Sequence, residues 1–434
     1  MPNGIHICIF VYGASYTNLL AEILLANLAA LVLEIPEDLR QQSRVRIVTT
    51  RDDIPLIEAS PALPVLRRRI AVEIRDAARL RGDARHGKYG AMVESQRIFV
   101  VDAARENAAL FFVGPDQVYS RGSFALFVDR LRRGYRVIIG PGPRVKRDTA
   151  RAELRELIAA SPDGTFAPES DWLIDLFFRH WHPVNDQFLI EHEASLSWKA
   201  YVCNRPHPDE LLFRFFQGPT FVAWPRRRVE DFKGFVDHEL PELCCASWRE
   251  IYVVNEARDC LALDLTRDEL VDELALADFP RVHLLQNLFN AHAIKDVKLI
   301  YGLRTCRLHR GDRDATEMQR NFDRVVDPLI LLALAERKVR RRFGSWAAFA
   351  FRNFCILNTH TLGFILAPFS ARLARRWQDV DPLATISVAL QAAPSDGNSG
   401  SGTDLRRSPV RPAHAGAAAP SIEAPTPPPR TSTS

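Results

Sequence analysis

The chain lacks the short signatures of several large enzyme classes. It has no P-loop, no G-x-G-x-x-G dinucleotide fingerprint and no G-x-S-x-G nucleophile elbow. Its seven cysteines (8, 203, 244, 245, 260, 306 and 355) contain no C-x-x-C pair and belong to no Cys/His signature. A structural zinc site and a cysteine nucleophile are therefore not expected, and a reducing, cytoplasmic setting fits best. An excess of one charge is missing too. The 57 basic and 53 acidic residues leave a net charge of +4, so nothing demands nucleic acid as a partner. No repeat of fixed period runs along the chain. With 47% hydrophobic and 25% charged residues in 434, the composition is that of a soluble protein of one large domain or two.

What the chain does have is a series of apolar runs that end in polar turns. The first strand, Ile5 to Val11, meets Tyr12-Gly-Ala-Ser-Tyr-Thr-Asn18 and then an apolar stretch, Asn18 to Ile35. That stretch has no basic region before it and is interrupted by Glu22 and Asn27, so it reads as a buried helix and not as a signal peptide. Tyr12, Gly13 and Ser15 would then lie in a crevice. Thr17 or Asn18 would cap a helix whose N-terminus favours an anion. A second strand from Arg44 ends at Asp52 and Asp53, while Val65 to Ile74 fits either a strand or a helix start. Lys88 to Asn107 reads as a helix, with Lys88 a further candidate for ligand contact.

That helix leads into Ala109-Leu-Phe-Phe-Val-Gly-Pro-Asp116-Gln-Val-Tyr-Ser120. Here an unbroken apolar strand delivers one carboxylate to a polar turn. At the carboxyl edge of an open α/β sheet such an Asp reaches a metal or a phosphate; alternatively, Asp116 caps the next helix. A helix from Ser123 to Arg133 stops at Gly134, and Tyr135 to Gly140 is the next strand. The alternation indicates an α/β sheet.

This order resembles the nucleotide-sugar half of GT-A type glycosyltransferases over roughly residues 4–145. The resemblance implies a mixed sheet flanked by helices, a nucleoside-diphosphate sugar as partner, and a divalent ion (Mn2+ or Mg2+) gripped by an Asp-x-Asp motif. In this chain the tripeptide is Gly114-Pro115-Asp116, which keeps only the second carboxylate. Asp52 or Asp53 stands where the family contacts the base. The chain is also similar to a poorly characterised bacterial group of GT-A-like proteins, through Pro115-Asp116 with Ser120, Phe235-Val-Asp237, and Val254 to Asp259.

Sugar transfer requires stabilising the leaving diphosphate, and, with inversion, a base for the acceptor hydroxyl. Asp237 is the candidate base and Glu256 the reserve. His238 and His207 are candidate distal ligands for a metal held by Asp116. Arg144, Lys146 and Arg147 would supply positive charge to a diphosphate, or simply begin a solvated helix. His180 and His182 form an H-x-H that reads as a metal pair or as a packed corner around Trp181.

The expected organisation is a nucleotide-sugar-binding α/β half (1–150), an irregular acceptor-side α+β half (151–265), a helical C-terminal region (266–390) and a disordered tail (391–434). The acceptor half carries three strand-like runs, 211–225, 232–243 and 250–266. The helical region begins with a capping box at Thr266 to Glu269 and includes a helix from Val282 to Val297. Around Trp346 to Pro368, basic flanks at Arg337–Arg342 and Arg372–Arg376 enclose an aromatic-rich stretch. It reads as a pair of core helices or as a contact with the inner face of a membrane, which would suit a lipid-linked or glycan acceptor. The leading function is transfer of a sugar to a glycan or envelope-linked acceptor. The rivals are a non-catalytic scaffold on the same fold and a membrane-surface adaptor.

Overall fold

The computed structural model describes residues 1–77, 90–190, 201–215, 220–226, 229, 232, 236–267, 285, 288–289, 302–311, 316–358, 362 and 366, without the side chains of 187, 201, 237, 238, 242, 316 and 318. Runs that are apolar at successive positions enter a sheet covered on both faces. Its strands are β1 (Ile5–Phe10), β2 (Arg44–Thr49), β3 (Ala71–Asp76), β4 (Ala109–Phe112), β6 (Val137–Ile139), β10 (Thr220–Ala223) and β11 (Ile251–Val253), in the order β11-β6-β10-β4-β1-β2-β3. Every pairing is parallel except those of β10, which runs antiparallel between β4 and β6. The architecture is mixed α/β, a seven-stranded sheet flanked by helices, with a long helix, Thr316–Leu357, near the C-terminal side. Strands from both sides of residue 150 share this sheet.

Two small sheets flank it. One joins β5 (Gln117–Tyr119), β12 (Ala262–Thr266) and β7 (Arg144–Lys146). The other joins β8 (Tyr201–His207), β9 (Glu210–Phe215) and β13 (Thr305–His309). Beneath the first lies an aromatic cluster: Phe111 of β4 meets Phe124 and Phe127 edge-on at 5.2 and 5.1 Å, and Tyr119 meets Phe221 at 5.5 Å. Such pairs add about 0.5–1.5 kcal/mol each beyond their buried area. Gly140, just after β6, has no room for a side chain, because a Cβ would run into the Phe221 ring.

The apolar run Ala14–Glu34 has the length and hydropathy of a membrane span, yet it is a core helix. Its two polar interruptions explain why. Glu22 receives Arg151 and Arg155 from the helix Arg147–Ala159. Asn27, fully buried, donates to the carbonyls of Tyr119 (3.1 Å) and Phe166 (3.2 Å) and accepts from the Tyr119 N–H (2.9 Å). Its amide thus substitutes for a neighbouring strand along β5. Asn27→Ala leaves those backbone groups buried without their partner and should cost roughly 2–4 kcal/mol. Urea denaturation reads this directly, and a loss below about 0.5 kcal/mol would mean that water replaces the amide.

On β1 and β2, the fully buried Arg46 bonds Asp102 at 2.7 Å and lies over the Phe99 ring, which fixes the helix Gly90–Glu106 to the sheet. Beside it burial, aided by Arg44, lowers the His6 imidazole from 6.5 to about 4. A depressed base keeps its full contribution above the unfolded value and loses it as pH falls through the folded one. Stability should therefore drop between pH 6.5 and 4, and His6→Asn should flatten that slope in a pH series of unfolding midpoints.

Several sequence expectations change. Gly13, with φ 83°, precedes the first helix, and Thr17 is buried inside it, so neither Thr17 nor Asn18 caps it. The ambiguous 65–74 segment divides into the helix Ala62–Arg69 and β3. The strand expected within 232–243 is instead the helix Val236–Cys244, with Pro241 inside it. Arg144 and Lys146 belong to β7, and the helix starts only at Arg147. Thr266 ends β12; Asp268 and Glu269 of its capping box lie outside the described residues, as do most of the 282–297 helix and the 391–434 tail.

Candidate functional site

Because β1, β2, β4, β6 and β11 point the same way, the turns after them gather at one edge of the sheet. After β1 come Tyr12, Gly13 and Ser15; after β2, Asp52 and Asp53; after β4, Gly114 to Asp116; after β11, Glu256. This edge is where the sequence places its ligand groups.

Asp53 holds the β1 turn in place. Its carboxylate accepts from the Gly13 N–H at 2.9 Å and the Thr50 hydroxyl at 2.7 Å, and it is buried. It therefore shapes the turn, while Asp52 beside it is exposed. Tyr12 is 43% exposed and packs its ring against Phe10. Ser15 meets Arg147, whose Nη1 donates to its hydroxyl at 2.9 Å.

Asp116 does not cap a helix; β5 follows it directly. Its carbonyl accepts from Leu265 N–H of β12 at 2.8 Å. Gln117 accepts from Gly114 N–H and donates to Asp264 of β12 at 2.9 Å, so the turn is fastened on both sides. Gly114 is where a GT-A motif would carry its other carboxylate. A Cβ there would lie 3.0 Å from Asp116 Oδ1 and 3.1 Å from Gln117, so the turn is built around glycine. Burial pushes the Asp116 carboxyl above the usual range, while a backbone hydrogen bond and the guanidinium groups of Arg144 and Arg147 pull it down.

Arg144 is displayed rigidly. β7 pairs with β12, and Asn185 grips the Arg144 backbone at both N–H and C=O, at 3.2 and 2.7 Å. The H-x-H pair forms the same corner. His180 Nε2 contacts Glu153, and His182 accepts from Val184 N–H at Nδ1 and lies 3.0 Å from the Arg267 carbonyl at Nε2. Both rings are structural, as the packed-corner reading expects. Arg267, which sequence reading passed over, brings a third guanidinium over the Tyr16 ring at 5.7 Å. Arg144 and Arg147 with Ser15 and Asp116, and Arg267 on Tyr16, thus join two helix starts, at Ala14 and Arg147, neither with a side-chain cap.

Ser120 belongs elsewhere. It is fully buried, and its hydroxyl accepts from Leu261 N–H and meets Ser123, joining β5 to the 261 segment. Glu256 lies in the turn after β11, a strand three intervals from β4, on the order of 14 Å at about 4.8 Å per interval. Burial raises its carboxyl, opposed by Arg307 and by His309, 3.3 Å away. Asp237 and His238 are in the helix Val236–Cys244, and their side chains, like the whole of Lys88, lie outside the described residues. His207 accepts from Asp209 N–H at 3.2 Å.

Among the described residues no three His, Cys, Asp or Glu side chains converge as a metal would require. Asp116 faces two guanidinium groups, and Asp264 is engaged by Gln117. Among the described residues these groups suit an anion; the side chain of His238, the second metal ligand expected from the sequence, lies outside them.

No protein-family model and no curated protein sequence matches the chain. Among solved structures it is similar to a mannosyltransferase from Pyrobaculum calidifontis in complex with GDP-Man and Mn2+, at 11% identity and a TM-score of 0.30, over 90% of this chain and 88% of that one. It is also similar to mouse xyloside xylosyltransferase 1 in its apo form, at 13% identity and a TM-score of 0.22, over 38% and 62%. Likeness at this level assigns no residue, and the reading of the site rests on the geometry above.

Proposed function

We propose that the chain transfers a sugar from a nucleoside-diphosphate donor to a glycan or envelope-linked acceptor. The observation that carries this reading is the carboxyl edge of the sheet, where Arg147, bonded to Ser15, and Arg144 stand beside Asp116. Two guanidinium groups and two uncapped helix starts suit a diphosphate in its bound and leaving states. Arg144 and Arg147 neutralise the leaving group, and the Gly13 turn held by Asp53 lets the backbone approach the phosphates. Asp237 and Glu256 are the candidate bases; the raised carboxyl of Glu256 suits proton acceptance. A divalent ion would add charge stabilisation if it arrived with the donor, but the reading does not depend on one.

Thermal stabilisation by a panel of nucleoside diphosphates and their sugars, with and without Mn2+, tests this, because a ligand that binds only the folded chain raises its melting temperature. A selective shift that is lost in Arg144→Ala/Arg147→Ala is expected. A panel in which no nucleotide moves the melting temperature would remove the donor-site assignment. Donor binding with no transfer to any acceptor would leave a binding scaffold on this fold.

A further inference from the structure

The long helix Thr316–Leu357 breaks at Gly344, which adopts φ 86° and ψ 178°, a left-handed conformation that favours glycine. Beyond the break, one face packs inward: Ala348 and Cys355 are buried. The opposite face is mostly apolar and open. Trp346 is 85% exposed, Phe349 56%, Phe354 54% and Leu357 84%, on one broad side of the helix that also carries the exposed Asn353. Phe343, at the break, is 66% exposed. Arg352, the one charge within this stretch, lies on the inner side, donating to Glu336 and to the Phe289 carbonyl, so the outer stripe carries no charge. A row of large apolar side chains left in water on one helix face indicates a surface that something covers.

The residues leading into the stripe indicate what covers it. Arg337, Lys338, Arg340, Arg341 and Arg342 form a basic run, and no acidic residue occurs from 337 to 357. Lys338, Arg341 and Arg342 are exposed. Cationic side chains beside a tryptophan- and phenylalanine-bearing stripe match the two layers of an anionic bilayer surface, headgroup phosphate and the start of the acyl region. We propose that this face docks the protein flat onto an anionic lipid membrane, with Trp346, Phe349, Phe354 and Leu357 entering the interface and the basic run lying against the headgroups. Because the inner face remains packed on the fold, docking needs no unfolding. The surface is independent of the proposed nucleotide site, and neither reading stands or falls with the other.

Co-sedimentation of the full chain with phosphatidylcholine vesicles, with and without phosphatidylglycerol, tests the proposal. The wild type should pellet with the anionic vesicles, less as salt rises. Trp346→Ser/Phe349→Ser should weaken that binding by at least about tenfold at an unchanged melting temperature, as should Lys338→Gln/Arg341→Gln/Arg342→Gln. Leu33→Ser, an exposed leucine elsewhere, should bind as the wild type does. Three outcomes would overturn it: wild-type chain that ignores anionic vesicles, stripe variants that pellet unchanged, or light scattering showing that the stripe holds two copies of the chain together while vesicles are ignored.

Discussion

Replacing Arg214 by methionine should lower folding stability by about 3–5 kcal/mol, the cost of leaving the buried Asp327 carboxylate without its counter-charge. Arg214 is a β9 residue with no exposed surface. Its Nη2 lies 2.5 Å from Asp323 and 2.8 Å from Asp327, and its Nη1 donates to the Gly302 carbonyl at 3.1 Å. Both aspartates come from the helix Thr316–Leu357, so one guanidinium joins that helix to the second small sheet. Asp327 is fully buried, and burial raises it from 3.8 to about 7 although Arg214 pulls it down. The sign of the pH dependence follows. A carboxyl whose folded value lies above its unfolded one contributes stability that is complete below 3.8 and is lost as pH rises through 7. The methionine variant should therefore be worst above pH 7 and recover towards acid, as protons replace the missing cation. Guanidinium unfolding at pH 5 and pH 8 would show a larger deficit at pH 8; equal deficits would mean that Asp327 does not titrate in this range. Adding Asp327→Leu to the methionine variant should restore part of the loss, since it removes the charge left unpaired.

How far the sequence could be read depended on how local the deciding contact was. β4 was legible as a continuous apolar run, β1 and β2 as apolar runs crossed by His6, Arg44 and Arg46, and Asp116 because it lies in the turn just after β4. The 65–74 segment was not. Pro64 and a run of three arginines at a helix end sit directly against the strand, and no period survives across that join. The helix Val236–Cys244 was hidden by Pro241, a residue that argues against the helix it occupies. The insertion of β10 between β4 and β6 leaves no mark on either strand, since pairing partners are set by packing and not by local pattern. At the site, Ser15 and Arg147 are 132 residues apart, so their contact could not be read from either segment. Asp53 and Ser120 show the converse difficulty: a polar residue in a turn after a strand gives the same signal whether it holds a ligand or holds the turn.

That ambiguity is resolved by the second large effect expected of this molecule. Arg144→Ala/Arg147→Ala should reduce kcat/KM for a nucleotide-sugar donor by about a hundredfold or more, because hydrogen bonds to a charged group are worth about 1.5–3 kcal/mol each. Arg147→Lys should lose much of this as well, since an ammonium keeps the charge but not the fork that serves Ser15 and a phosphate together. Stability should change little by comparison, because Arg147 bonds Ser15 and the exposed Asp148 and acts on Asp116 through its charge alone. Asp53→Ala should behave differently, lowering the melting temperature and donor affinity together, since its carboxylate holds the Gly13 turn from inside. Steady-state kinetics beside melting curves separate the two classes. If the arginine pair could be removed with kcat/KM intact, the diphosphate would have to lie elsewhere on the sheet edge, and the two guanidinium groups would serve only to hold the Asp116 turn against β7.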